Sequence, residues 1–271
     1  MRSFLALTLS FSLLGGVAGA QSPDTSGVSR TFITRRDLAF TGIAFGASGL
    51  VSVFDDNIAK WSQQSRFQDS STHRIALRIS KVNETTLTLA GIATYGIARL
   101  AGSPTVTDIA LHTTEAVVLG SLASQLIRGV LGRTRPYITK DSNQYDFHFG
   151  RGFYGENTFA YRAFPSIHTS SSIAVATVLA METHRRHPGA TPFVAPILFA
   201  AGLLPGLARV NLDQHWASDI VSGAFMGALA GYKVVSYSHA HPNNRFDRMF
   251  LRASVMPDAN GRMLVMISPT F

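Results

Sequence analysis

Phe164-Pro-Ser-Ile-His-Thr169 leads directly into Ser170-Ser-Ser-Ile-Ala-Val-Ala-Thr-Val-Leu-Ala-Met-Glu182, and the reading of this stretch decides the fold. From His168 to Glu182 it is of helix length, rich in small and aliphatic residues, and free of the period-2 alternation of a strand. Outward in both directions the same texture returns at residues 38–54, 85–100, 106–131, 193–207 and 217–236, each rich in Ala, Leu, Val and Gly and bounded by turn residues. Six such segments without an internal repeat predict an all-α domain over residues 37–238. Beyond Tyr237 the texture changes. His239-Ala-His-Pro-Asn-Asn244 reads as a connector, and residues 251–256 and 262–267 are β-prone runs flanking Pro257-Asp-Ala-Asn-Gly261, which predicts a closing hairpin or extended tail over 239–271. His239 and His241 have no acidic or Cys neighbours in sequence, so they read as exposed connector residues rather than metal ligands.

At the other end, Met1-Arg2, an uncharged run from Phe4 to Leu14 and Ala18-Gly19-Ala20 form the charged, apolar and small-residue parts of a signal peptide over residues 1–20. That pattern predicts an exported protein, periplasmic or at the outer face of the cytoplasmic membrane. Residues 21–36 are polar and aperiodic and read as a linker. The whole chain has 271 residues, 46% of them hydrophobic, which excludes disorder, and no Cys, which excludes a disulfide scaffold. Its formal charge of +8 is carried mostly by Arg, since only Lys60, Lys81, Lys140 and Lys233 are lysines. Guanidinium groups favour phosphate and carboxylate partners. Residues 38–54 are uncharged, and residues 188–208 are uncharged but contain four prolines. The other segments are short or interrupted by charge, so the domain is expected to be soluble or peripherally attached to a membrane.

Three clusters carry chemistry. In Arg128-Gly-Val-Leu-Gly-Arg133-Thr-Arg135-Pro136, Arg128 and Arg135 are two helical turns apart and are expected on one face, with Pro136 ending the helix. Two arginines on an apolar helix need an anion. In the second cluster Ser166 reads as an N-cap, with His168 in the first turn beside free amide groups that favour an anion. The third is Ala208-Arg209-Val-Asn-Leu-Asp213-Gln-His215-Trp216-Ala-Ser-Asp219, where His215 and Asp219 are i and i+4 and adjacent on a helix. A carboxylate on Nδ1 leaves Nε2 free to attack. Each cluster alone also reads as ordinary capping, dipole pairing or a satisfied core histidine. Together, three arginines, two helix starts and two histidines fit a buried phosphate and its transfer.

The three clusters resemble the tripartite signature of the type 2 phosphatidic acid phosphatase (PAP2) and vanadium haloperoxidase superfamily: Lys-x6-Arg-Pro, Pro-Ser-Gly-His and Ser-Arg-x5-His-x3-Asp. Here 28 residues separate Pro136 from Pro165, and 40 separate His168 from Arg209. The resemblance implies a six-helix PAP2-like bundle and a metal-independent phosphatase acting on a phosphomonoester or a lipid phosphate or pyrophosphate. It implies His215 as the nucleophile that forms a phosphohistidine, Asp219 as its orienting carboxylate, and His168 as general acid and then base. Arg128, Arg135, Arg209 and Ser166 would hold the phosphate oxygens. No metal or cofactor is implied, with vanadate as a phosphate mimic. The expected partners are a phosphorylated small molecule or lipid and a membrane surface, and not nucleic acid. Three positions depart from the signature. Arg128 stands for Lys, Ala208 for Ser and Ile167 for Gly. A β-branched residue restricts the backbone where Gly would let an amide approach phosphate, so Ile167 predicts reduced or altered activity. Two alternatives use the same pocket: a vanadate-dependent haloperoxidase and a non-catalytic phosphate-binding envelope protein. Residues 141–162, with seven aromatics, read either as a wall or lid beside the site or as a loop packing its own rings over the bundle.

Overall fold

The computed structural model describes residues 32–242, together with 244, 245, 247 and two short strands at 253–257 and 263–267. The signal-peptide reading and most of the linker lie outside the described residues. Nine α-helices are present among them. The six apolar segments become α1 (Arg35–Ser52), α4 (Glu84–Leu100), α5 (Pro104–Leu131), α7 (Ile167–Arg186), α8 (Thr191–Asn211) and α9 (Ala217–Ala240). Three more were not anticipated: α2 (Asp55–Ser62), α3 (Ser70–Ile79) and the single turn α6 (Pro136–Thr139). They are short and carry polar residues through their length, so no apolar run marks them.

Two boundaries differ from the expected ones, each for a local reason. Thr34 and Asp37 form a reciprocal capping box, the carboxylate accepting from the Thr34 amide at 2.7 Å, so the helix begins at Arg35 inside the expected linker. At the other end α9 continues through His239 and Ala240, which therefore belong to a helix rather than to the connector. The strands β1 (Ala253–Pro257) and β2 (Met263–Ile267) pair antiparallel, with Val255 opposite Val265.

Helix α7 is central, packed on α5, α8 and α9, while α4 lies on α5 and α1 on α9. Ala116, Val117, Ala174, Val178, Val234 and Val235 form the core where α5, α7 and α9 meet. Each fully buried valine contributes on the order of 1.5–3 kcal/mol. Gly223, Gly227 and Gly231 recur every four residues along α9, and a Cβ at Gly227 would overlap the carbonyl oxygen of Ser170 on α7. This row of hydrogens brings two backbones into contact and holds α9 in register along α7. Ser166 meets Gly223 at one end and Glu182 meets His239 at the other, so α7 and α9 run parallel. Arg128 reaches the start of α7 and Asp108 its end, so α5 runs against them.

Outside this core the helices turn apolar side chains outward. Leu89, Ile92 and Ile97 on α4, Leu122 and Leu126 on α5, and Phe193 and Ile197 on α8 are all exposed. Pro188–Asn211 and Ala217–Ala240 are each long and apolar enough to cross a membrane, and only 22% of the first is buried. Helices α1 and α2, bent by 60°, qualify as a further broken span. A soluble core helix buries its apolar face, so these lengths and outward faces suggest a membrane protein rather than the expected soluble or peripheral domain.

Candidate active site

The site forms where α5 and α8 end and α7 and α9 begin. Helix α5 does not carry both arginines of the first cluster, contrary to the expected geometry. It stops at Leu131 because Gly132 turns left-handed (φ 60°), and a side chain there would run into the His148 carbonyl. Arg135 lies beyond, in extended conformation, as the residue that precedes α6. The two guanidinium groups still converge: Arg128 donates to the Arg162 carbonyl, and Arg135 Nη2 donates to the same oxygen at 3.2 Å. Arg135 also donates through Nε to the Phe159 carbonyl at 2.8 Å and through Nη1 to the Gln214 carbonyl at 2.7 Å, with its charge 4.0 Å from the centre of the Phe159 ring. The aromatic stretch 141–162 is therefore a wall whose carbonyls aim the arginines. Tyr145, Phe149, Phe153 and Tyr154 of the same wall are exposed.

Arg209, in the last turn of α8, donates to Gln214 Oε1 at 3.2 Å, and Arg135 donates to the same oxygen at 3.3 Å. Among the described residues, no carboxylate is hydrogen-bonded to Arg128, Arg135 or Arg209, and the Nε atoms of Arg128 and Arg209 are buried without a partner. Glu84 and Asp219 lie near enough to act on these charges, but with only carbonyl and amide oxygens hydrogen-bonded to them the three guanidinium groups favour an anion. Burial and the charges of its neighbours Arg128 and Arg209 push Arg135 well below the usual range of an arginine.

His215 stands in the turn before α9 and is 1% exposed. Its Nδ1 faces Asp219 Oδ2 at 3.4 Å, and its Nε2 is buried without a hydrogen-bond partner. Burial first, then Arg135, Arg209 and Arg128, hold the imidazole well below its ordinary range, so it is neutral and nucleophilic at pH 7. The ring of His168, in the first turn of α7, lies 6.5 Å from that of His215, centre to centre. Its Nδ1 is also buried without a partner. Ser166 caps α7: its Oγ accepts from the Thr169 amide at 3.4 Å and from the Thr169 hydroxyl at 3.0 Å, which leaves its own proton to give. Ile167 is buried in the first helical turn and is not among the residues with positive φ, so the glycine freedom of the signature is not required here. All seven residues singled out from the sequence thus meet at one end of the bundle.

Three functional residues were missed. Arg133, between the two phosphate-facing arginines, turns the other way. It donates to Asp219 Oδ1 at 2.6 Å and to Asp55 Oδ2 at 2.8 Å, while Asp55 Oδ1 accepts from the Ser218 amide at 2.9 Å. Arg133 and Asp55 therefore fix the carboxylate that orients His215. The rings of Trp216, Phe147 and Phe164 surround Arg133 at 5.5–5.9 Å from its charge. Gln214 is the third, the amide oxygen shared by two arginines. Asp55 and Asp219 lie 78 and 86 residues from Arg133, so no local spacing links them; Asp55 at the end of an uncharged run was the available signal.

The helical bundle thus brings together three arginines, a buried imidazole backed by a carboxylate and a second imidazole across from it. Residues 110–242 match the family model of the PAP2 superfamily. Over 72 residues the chain is 32% identical to the lipid A 1-phosphatase of Porphyromonas gingivalis, covering 27% of this chain and 15% of that protein's length. The fold is similar to the crystal structure of the transmembrane PAP2 type phosphatidylglycerolphosphate phosphatase from Bacillus subtilis, with a TM-score of 0.51 and 16% identity, over 79% of this chain and all of that one.

Proposed function

We propose that this chain is a phosphatase that removes a phosphate or pyrophosphate group from a membrane lipid through a phosphohistidine. The observation that carries the reading is the free, buried Nε2 of His215 beside the buried guanidinium groups of Arg128 and Arg135 and the half-buried one of Arg209, none of them hydrogen-bonded to a carboxylate among the described residues. A phosphate supplies the missing negative charge. Arg128, Arg135 and Arg209, with the Ser166 hydroxyl and the amide groups at the start of α7, hold its non-bridging oxygens and stabilise the charge that develops on them. Nε2 attacks phosphorus and the P–O bond to the lipid breaks. Burial and then Arg209, Arg128 and Arg135 hold His168 down to about 3 in the empty site, so it takes up a proton together with the phosphate dianion and gives it to the leaving alkoxide, while Asp219 stabilises the charge that grows on His215. His168, now neutral, takes a proton from water as that water attacks the phosphohistidine, and phosphate departs. The arginines and helix ends supply the positive field in which a metal is not needed.

A lipid substrate is favoured by the outward apolar helices. The names of the two similar proteins, both lipid phosphatases, point the same way. The reading is tested with purified protein in detergent by measuring phosphate release from a lipid phosphate and from a soluble monoester. Faster turnover of the lipid, lost in His215→Ala, is the expected result. Equal activity in that variant removes the nucleophile and the reading with it. Halide-dependent peroxide oxidation after vanadate loading, without phosphate release, would instead favour the haloperoxidase.

A further inference from the structure

The opposite end of the same three core helices holds a second buried cluster that the phosphatase reading does not use. Asp108 and His112 come from the first turns of α5, Glu182 from the end of α7 and His239 from the end of α9. One donor atom from each lies within 4.8 Å of all the others. We propose that these four residues bind a divalent transition-metal ion, best suited to zinc, which ties α5, α7 and α9 together at the end remote from the active site.

His112 carries the inference. It is 1% exposed, and neither ring nitrogen has a hydrogen-bond partner. Nδ1 faces Asp108 Oδ1 at 3.6 Å and Nε2 faces Asp247 Oδ1 at 3.6 Å. Both separations are longer than a hydrogen bond. The wider separations leave room for an ion on the Nδ1 side, with Asp247 behind the ring to fix its tautomer, a common arrangement for a metal-binding histidine. His239 Nε2 already meets Glu182 Oε1 at 2.6 Å, and the rings of His112 and His239 are 5.6 Å apart. A tetrahedral zinc with bonds of roughly 2.0–2.1 Å holds its donors about 3.3 Å apart, within the spread of these separations.

Charge and orientation agree with a cation. Arg186 donates to Glu182 Oε2 and lies 3.5 Å from Asp108 Oδ2. Each carboxylate thus spends one oxygen on Arg186 and turns the other toward a histidine. Arg186 pairs with Glu182 and Asp108, while Asp247 faces His112, so the two imidazoles have a mainly acidic surround. The donor set, two imidazoles and two carboxylates, is of the N/O type that zinc accepts. His239 had been read as a connector residue without acidic neighbours; its carboxylate arrives from α7, 57 residues away.

The test uses the full chain in detergent, stripped with a chelator, and the metals themselves as probes. Zinc is expected to bind at one equivalent per chain and to raise the Tm by about 5–10 °C at a hundredfold excess over Kd. Cobalt is expected to give the intense visible bands of a four-coordinate site. Both signals should disappear in His112→Ala/His239→Ala and in the milder Asp108→Asn. Absence of stoichiometric zinc in the wild-type chain, weak six-coordinate cobalt bands, or signals retained by the double variant would overturn the proposal. Because the wild-type measurements decide it alone, a variant that fails to fold does not protect it. Phosphate release is not the readout, so the result is independent of the phosphatase reading.

Discussion

The two ends of the α5–α7–α9 core use the same residue types in opposite proportion. At one end Arg128, Arg135 and Arg209 surround two imidazoles, and no carboxylate is hydrogen-bonded to these arginines among the described residues. At the other, Asp108, Glu182 and Asp247 surround two imidazoles with Arg186 between two of the carboxylates. A histidine pair alone says little in either place. The sign of the uncompensated charge around it distinguishes a pocket for an anion from one for a cation, because a buried charge persists only where a partner is available.

The largest effect should come from removing the imidazole at the arginine end. His215→Ala is expected to lower kcat for phosphate release by about four orders of magnitude while the protein still folds, measured with a lipid phosphate substrate. A smaller but more revealing loss is expected at Arg133, which belongs to the same end and yet pairs with carboxylates. Arg133→Ala leaves Asp55 and Asp219 as buried, unpaired acids and should cost about 3–5 kcal/mol of stability, read as a fall in Tm. Arg133→Lys keeps the charge but cannot reach both carboxylates with one planar fork, so it should lower kcat more than it lowers Tm. Retained kcat in Arg133→Lys would mean that Asp219 does not depend on it for orientation. Next in size is Gly132→Ala, which places a Cβ at positive φ against the His148 carbonyl and should cost about 1–3 kcal/mol with reduced kcat. Zinc binding at the far end should be unchanged in that variant.

The charge contrast also sets a pH dependence. His215 is depressed by burial and by the arginines, so the folded enzyme keeps it neutral well below pH 6.5. The acidic limb of kcat/KM attributable to the nucleophile should therefore lie well below the ordinary imidazole value. The unfolded chain takes up that proton near pH 6.5 and the folded chain does not, so stability falls as pH drops below about 6.5. A limb centred near 6.5 that His215 variants shift would show an imidazole unaffected by the guanidinium groups.

Much of this was legible along the chain because it depends on short spacings. His215 and Asp219 are one helical turn apart, and Ser166 and His168 flank a helix start, so local geometry carries them into the site. The apolar texture likewise marked the six long helices. What was not legible depends on distant pairings or on what surrounds the protein. Arg133 looked like its neighbours, and only its reach to Asp55 and Asp219 separates a carboxylate-binding arginine from two phosphate-facing ones. The stop at Gly132 moved Arg135 off the helix without moving it out of the pocket. Apolar runs of helix length do not state whether their faces turn inward or outward; the exposure of Leu122, Leu126 and Ile197 does.

The smallest expected effect tests whether acidic pairs are tolerated beside the arginine end. Asp141 and Asp213 both adopt left-handed backbone conformations, φ 54° and 59°, which aspartate accepts more readily than most residues. Their carboxyl groups share a hydrogen bond, and one oxygen of each is buried without a partner. Burial first and then Asp141 push the Asp213 carboxyl up to about 7. The folded chain thus holds a proton that the unfolded chain releases near pH 4, so stability declines as pH rises from about 4 to about 7 and is level above. Asp213→Asn removes the titration and should make the variant more stable than the wild type above pH 7. Because the group is partly exposed, the gain is on the order of 1 kcal/mol or less. Tm measured across pH 5 to 8 decides it: parallel curves for the two proteins would show that Asp213 is ionised throughout, paired with a cation rather than with Asp141.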